Sequence, residues 1–212
     1  MTNIREILYR TGIVPVIKIA DPAKAAPLAK ALTEGGIHTA EITFRTDAAA
    51  EAIFAMREAC PEILIGAGTV LTVECLDRAI TAGAQFIVAP GLNPKVVEAA
   101  LEREIPVVPG VMTPTEIECA LSYGLDFVKF FPAEAAGGVK MLKALSAPYS
   151  MLRFMPTGGV TMANAADYLS LKSVLCCGGS FIAEPAAIEA GDFDSIRANA
   201  EAVSAFVAGI RT

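Results

Sequence analysis

Eight short apolar runs recur along the chain, each separated from the next by a stretch carrying helix-start signals, and this alternation constrains the fold more than any other feature. The runs are VPVIKI (residues 14–19), HTAEITF (38–44), ILIGAG (63–68), QFIVAP (85–90), IPVVPG (105–110), DFVKFF (126–131), RFMPTG (153–158) and SVLCCGG (173–179). Runs that are apolar on both faces suit parallel strands covered by helices. In MTPTEIE, Thr113 is placed to cap a helix, Pro114 to be its first residue and Glu116 to complete a capping box. Asp21 with Pro22 and Asn93 with Pro94 give similar starts, while Pro27 predicts a kink in the helix of PAKAAPLAKAL. Eight such units without a Pro/Gly/Ser-rich linker predict one α/β domain over residues 1–212. The expected fold is a single (β/α)8 TIM barrel with a short N-terminal helix over residues 4–10. A doubly wound open sheet is the alternative.

The composition fits a chain with extensive buried surface. It is 54% hydrophobic and 19% charged, with a mean hydropathy of +0.52, which predicts helix-covered strands and further apolar surface hidden by oligomerisation. No apolar run reaches membrane-spanning length, and MTNIREILYR lacks the uninterrupted apolar segment of a signal peptide; a cytoplasmic protein without a membrane partner is expected. A net charge of -6 without a basic cluster argues against nucleic acid as a partner. Cys60, Cys75, Cys119, Cys176 and Cys177 show no metal-ligand spacing, and His38 is the one histidine, so reduced thiols and no metal are expected. GAGTV lacks the full dinucleotide-binding spacing, and no cofactor is expected.

Two charges stand out because they interrupt apolar strands. Lys129 lies among Phe127, Val128, Phe130 and Phe131. Burying an unpaired ammonium is expensive, so such a lysine either reaches outward or is kept for chemistry. Glu41, Thr43 and Arg45 alternate along the second run and share one face, with Ile42 and Phe44 on the other. An enclosed carboxylate and an enclosed lysine are natural acid–base partners, the lesser alternative being that Glu41 simply pairs with an arginine or lysine in the barrel. Barrel enzymes carry their sites where strands end. There the sequence places Thr69, among small residues in GAGTV, and glycine pairs in PTGGV and CCGGS after the seventh and eighth runs, which suit a phosphate. Lys18, a second cation in an apolar run, faces the same mouth if the first strand alternates regularly. His38, at the far end of its run, is read as structural.

A phosphate site beside a sequestered lysine and carboxylate points to Schiff-base chemistry on a phosphorylated keto compound. Two other readings remain open on these residues: an isomerase or epimerase using Glu41 as base without a covalent intermediate, and a sugar-phosphate-binding regulatory barrel. GGIHTAEITFR, GAGTVL, FVKFFPAE, RFMPTGGV and LCCGGS resemble, in order and spacing, the motifs of the 2-keto-3-deoxy-6-phosphogluconate (KDPG) and 4-hydroxy-2-oxoglutarate (KHG) aldolase family, over nearly the whole chain. The resemblance implies a class I aldolase, a (β/α)8 barrel and a homotrimer. It implies Lys129 as the Schiff-base lysine, Glu41 as general acid/base, and Arg45 and Thr69 as ligands of the keto-acid carboxylate. Phe131 is then placed against the pyruvyl methyl group and Thr157 near a sugar hydroxyl. Gly158, Gly159, Gly179 and Ser180 would hold the phosphate, with Lys18 adding a positive charge. The related 2-keto-3-deoxy-6-phosphogalactonate aldolase, acting on the C4 epimer, is the alternative activity within the same chemistry.

Overall fold

Every predicted run carries β structure in the computed structural model, which describes residues 4–211. The strands are β1 (Ile13–Ile17), β2 (Thr39–Thr43), β3 (Leu64–Gly68), β4 (Phe86–Val88), β5 (Val107–Val108), β6 (Gly110–Val111), β7 (Phe127–Phe130), β8 (Arg153–Pro156) and β9 (Cys177–Gly179). The helices are α1 (Ile4–Thr11), α2 (Ala25–Glu34), α3 (Ala49–Ala59), α4 (Val73–Thr81), α5 (Pro94–Glu102), α6 (Pro114–Ser122), α7 (Gly138–Ser146), α8 (Ala165–Leu169), α9 (Pro185–Ala190) and α10 (Phe193–Ile210). None of them is long and apolar enough to cross a membrane.

The expected closed eight-stranded barrel is not what the ladders form. All pairings are parallel, but they make two sheets: a six-stranded one in the order β5-β4-β3-β2-β1-β9 and a three-stranded one in the order β6-β7-β8. Both seams have a local cause. The fifth run splits at Pro109, which has no N–H to give to a ladder, so β5 pairs with β4 while β6 pairs with β7. The eighth run is regular only over Cys177–Gly179, where it pairs with β1. Among the described residues, β pairing between the region of β8 and that of β9 is limited to the isolated bridges Phe154–Val174 and Thr157–Gly178. A doubly wound sheet is also absent, because β1 to β5 follow one another without a reversal of order.

Strand alternation sorts the core into two clusters. Ile13, Ile17, Ala40, Ile42, Ile65, Ala67, Val128 and Phe130 face the helices, packing with such residues as Leu28, Leu32, Ile53 and Val203. Val14, Leu64, Phe86, Val88, Val108, Phe127 and Met155 point the other way and meet one another across the two sheets, with Leu8 of α1 joining them. The faces that the sheets turn toward each other are thus filled with apolar side chains on one side of the molecule. The polar strand residues take the remaining inward positions.

Helix starts follow local rules. Thr113 caps α6, and its backbone and side chain both meet the Glu116 carboxylate in the expected capping box. Those donors, with the Met112 amide, outweigh burial and hold the Glu116 carboxyl below the usual carboxylate range. Asn93 caps α5, whereas Asp21 caps a short 3-10 turn, Pro22–Lys24, that precedes α2. Pro27 therefore falls within the first turn of α2, where no intrahelical donor is required, and the expected mid-helix kink is replaced by this 3-10 to α junction.

Candidate active site

Glu41 and Thr43 lie on the inward face of β2, with Ala40 and Ile42 against the helices. Lys129 occupies the corresponding inward position on β7, between the helix-facing Val128 and Phe130. The two charges thus come from different sheets, 88 residues apart in sequence, and meet across the gap with Lys129 Nζ 3.4 Å from Glu41 Oε1. Glu41 is 0% exposed and Lys129 5%. Glu41 Oε2 has no protein partner, so one carboxylate oxygen faces the interior uncommitted. Such a pair is costly to bury and is weak evidence for stability, which makes a chemical role the better account of it.

The glycine facing this pair decides where the carboxylate sits. Thr43 is in register with Gly68 and Glu41 with Gly66. A Cβ at Gly68 would lie 2.1 Å from Glu41 Oε1 and 2.6 Å from its Cγ, so β3 leaves the space that the Glu41 side chain fills. Phe131, the residue after β7, turns its ring toward the lysine, with Nζ 5.3 Å from the ring centroid.

Beyond the strand ends, Arg45 is exposed and is steadied by its neighbour: its Nε donates to Thr43 Oγ1 at 3.1 Å, and Thr43 Oγ1 donates to the Ile17 carbonyl at 2.7 Å. Thr69 follows β3 with φ 59°, a left-handed backbone that a β-branched residue rarely adopts. Strain of this kind costs about 1–3 kcal/mol and gathers at functional positions. Arg45 and Thr69 line one cavity of about 410 Å³. Arg78, which composition and spacing did not single out, adds a second guanidinium to this cavity while lying over the Phe44 ring at 5.8 Å.

The glycine turns after β8 and β9 are neighbours through the Thr157–Gly178 bridge. Thr157 is buried, and a Cβ at Gly178 would meet its Oγ1 at 2.4 Å. Gly158 and Gly159 both have left-handed φ, 98° and 82°, so this turn needs glycine at two successive positions. Gly158 packs on Phe131: a Cβ there would come within 3.3 Å of the ring. The Thr157–Gly159 turn thereby continues directly from the surroundings of Lys129. Ser180 is exposed immediately after β9.

Lys18 lies one residue beyond β1 and is exposed. Among the described residues no acid lies within ion-pair distance of it. His38 is exposed just before β2, at the opposite end of that strand from Arg45. The five thiols form no disulfide among the described residues, and burial pushes the Cys177 thiol up to about 12. No group of three or more His, Cys, Asp or Glu that could hold a metal ion occurs among the described residues.

The family model for KDPG and KHG aldolases matches residues 4–199. The chain is 50% identical to the 2-dehydro-3-deoxy-phosphogluconate aldolase of Treponema pallidum (strain Nichols) over 198 residues, covering 93% of this chain and 94% of that protein. Among solved structures it is similar to the KDPG aldolase of Legionella pneumophila with pyruvate captured as a covalent carbinolamine intermediate. The TM-score is 0.91 at 40% identity, over 95% of this chain and 98% of that one. It is also similar to the Zymomonas mobilis ZM4 enzyme solved with 3-phosphoglycerate, with a TM-score of 0.89 and 40% identity over 97% of each chain.

Proposed function

Because the chain belongs to the KDPG and KHG aldolase family, we infer that it is a Schiff-base aldolase that cleaves 2-keto-3-deoxy-6-phosphogluconate to pyruvate and glyceraldehyde 3-phosphate. The same chemistry takes 4-hydroxy-2-oxoglutarate to pyruvate and glyoxylate. The observation that carries this reading is the buried Lys129–Glu41 pair joining the two sheets at 3.4 Å. Neutral Lys129 attacks the C2 ketone, and loss of water from the carbinolamine leaves an iminium that serves as the electron sink. Glu41 removes the C4 hydroxyl proton, the C3–C4 bond breaks, and its electron pair is held as the pyruvate enamine. Protonation at C3 and hydrolysis of the imine return pyruvate and the lysine. The covalent pyruvate adduct of the Legionella relative supports this route.

The remaining residues divide by charge and position. The Arg45 guanidinium, steadied through its Nε, keeps its two terminal nitrogens for the keto-acid carboxylate, with Thr69 beside it. Phe131 packs against the pyruvyl methyl group and Thr157 reaches the sugar hydroxyls. Gly158, Gly159, Gly179 and Ser180 receive the phosphate through amides and a hydroxyl, as their adjacency across the Thr157–Gly178 bridge allows. Exposed Lys18, one residue past the strand between β2 and β9, adds a cation that retains the anionic substrate. The reaction needs no metal in this account, since the iminium withdraws the electrons. Residues 1–212 act as one catalytic domain, in the cytoplasm. The chain assembles as a trimer, and exposed Phe54, Leu71 and Met151 offer apolar surface for such contacts.

Assay of the purified protein with each substrate tests the reading. Pyruvate release from both, undiminished by EDTA, is expected; activity lost to EDTA and restored by a divalent metal would contradict it. The seat of Glu41 gives a second expectation. In Gly68→Ala the added Cβ displaces the carboxylate, and a shift of about 1 Å lowers kcat by about 10²-fold while the lysine still forms the imine. A wild-type kcat in that variant would show that the Glu41 position does not matter.

A further inference from the structure

Glu134 has no part in the mechanism above, yet four separate contacts converge on it. Its amide donates to the Gly158 carbonyl at 3.0 Å, next to the Ala133 amide donating to the Thr157 carbonyl at 2.8 Å. Its side chain lies against Gly159, where a Cβ would come within 2.7 Å of both Cβ and Cγ of Glu134. The Tyr168 hydroxyl, from α8, donates to Glu134 Oε1. Gly138, at the start of α7, leaves room for the same carboxylate, since a Cβ there would lie 3.1 Å from Oε1. Glu134 is itself exposed on one side, but Tyr168 is 0% exposed. Burial, followed by the Glu134 bond, holds the phenol well above its usual range, so it remains an O–H donor.

These contacts tie three segments together: the loop after β7 that begins with Phe131, the glycine turn after β8, and the buried tyrosine of α8. A turn built on two successive left-handed glycines has little rigidity of its own. Its shape must come from what it rests on. We propose that Glu134 and Tyr168 are positioning residues that brace the Gly158–Gly159 turn against the loop after β7, and so set the affinity for the phosphorylated end of the substrate. The proposal rests on the reading that phosphate binds at the glycine turns. It touches neither the lysine nor the carboxylate end, so its effect belongs to KM for the phosphorylated substrate.

The test compares KDPG and KHG cleavage in wild type, Tyr168→Phe, Glu134→Gln and Ser180→Asp, with melting temperatures to verify folding. Tyr168→Phe keeps the ring and removes one hydrogen bond to a charged group, and KM for KDPG is expected to rise about 10-fold. Its kcat and its KM for KHG stay near wild type. Glu134→Gln, which keeps a neutral acceptor oxygen for the phenol, leaves KM for KDPG nearer to wild type than Tyr168→Phe does. Ser180→Asp places a carboxylate against the phosphate and raises KM for KDPG by about 10²-fold or more, far beyond its effect on KHG. Equal effects of Ser180→Asp on both substrates overturn the phosphate assignment and the brace with it. A selective Ser180→Asp combined with an unchanged KM for KDPG in Tyr168→Phe overturns the brace alone. So does a Tyr168→Phe that acts on kcat or equally on both substrates, or a Glu134→Gln no better than Tyr168→Phe.

Discussion

Lys129→Ala is expected to lower KDPG cleavage by about 10⁴-fold or more, because the nucleophile and the electron sink are the same atom and nothing else in the strand replaces it. Among the described residues no other lysine is buried, and Lys18 stands exposed beyond the end of β1. The substitution also strands a carboxylate. With Glu41 0% exposed and its Lys129 contact gone, removing one partner of a buried pair costs about 3–5 kcal/mol. The variant should therefore melt below the wild type while remaining folded at ambient temperature. Circular dichroism must accompany the kinetics, because a loss of activity in an unfolded chain says nothing about the lysine. A folded variant with substantial cleavage would remove Lys129 from the mechanism.

Glu41→Gln keeps the shape of the side chain, and so fits the space left by Gly68, while removing the base. Carbon–carbon cleavage is expected to fall by about 10²- to 10⁴-fold, the usual contribution of a positioned proton-transfer group. Imine formation from pyruvate should persist at a reduced level, since Lys129 remains in place and the amide oxygen can still accept from its Nζ. Single-turnover kinetics separate the two steps. Near-normal cleavage would reduce Glu41 to a structural ion-pair partner, which was the competing reading of its position in the strand.

Much of the site was legible because its residues break local patterns. A lysine among phenylalanines and a glutamate between apolar neighbours are visible in a single strand, and strand alternation alone puts Glu41 and Thr43 on one face. Their meeting with Lys129 across two sheets is non-local, so the sequence offered it as the pairing of two enclosed charges, which the family resemblance then supported. The capping box of α6 was legible for the opposite reason, since all its atoms lie within a few residues. The division into two sheets was not: Pro109 is plain in the sequence, but its effect depends on which neighbours the residues on either side of it pair with. The eighth run likewise reads as seven continuous strand residues and forms a ladder over three. Alternation did not foretell the exposure of Lys18, because β1 ends at Ile17 before the side chain can be enclosed. Gly68 and Glu134 left no sequence signal, as each matters only through a neighbour brought to it by folding.

The central claim is that Lys129 forms the covalent bond to the keto acid. It is tested most directly by incubating the protein with pyruvate and borohydride, then mapping the reduced adduct by peptide mass spectrometry. Only an imine is reduced to a stable secondary amine, so the account predicts irreversible loss of activity with the pyruvate-derived mass on the peptide containing Lys129. An adduct on a different lysine, or no adduct in an active enzyme, would contradict it.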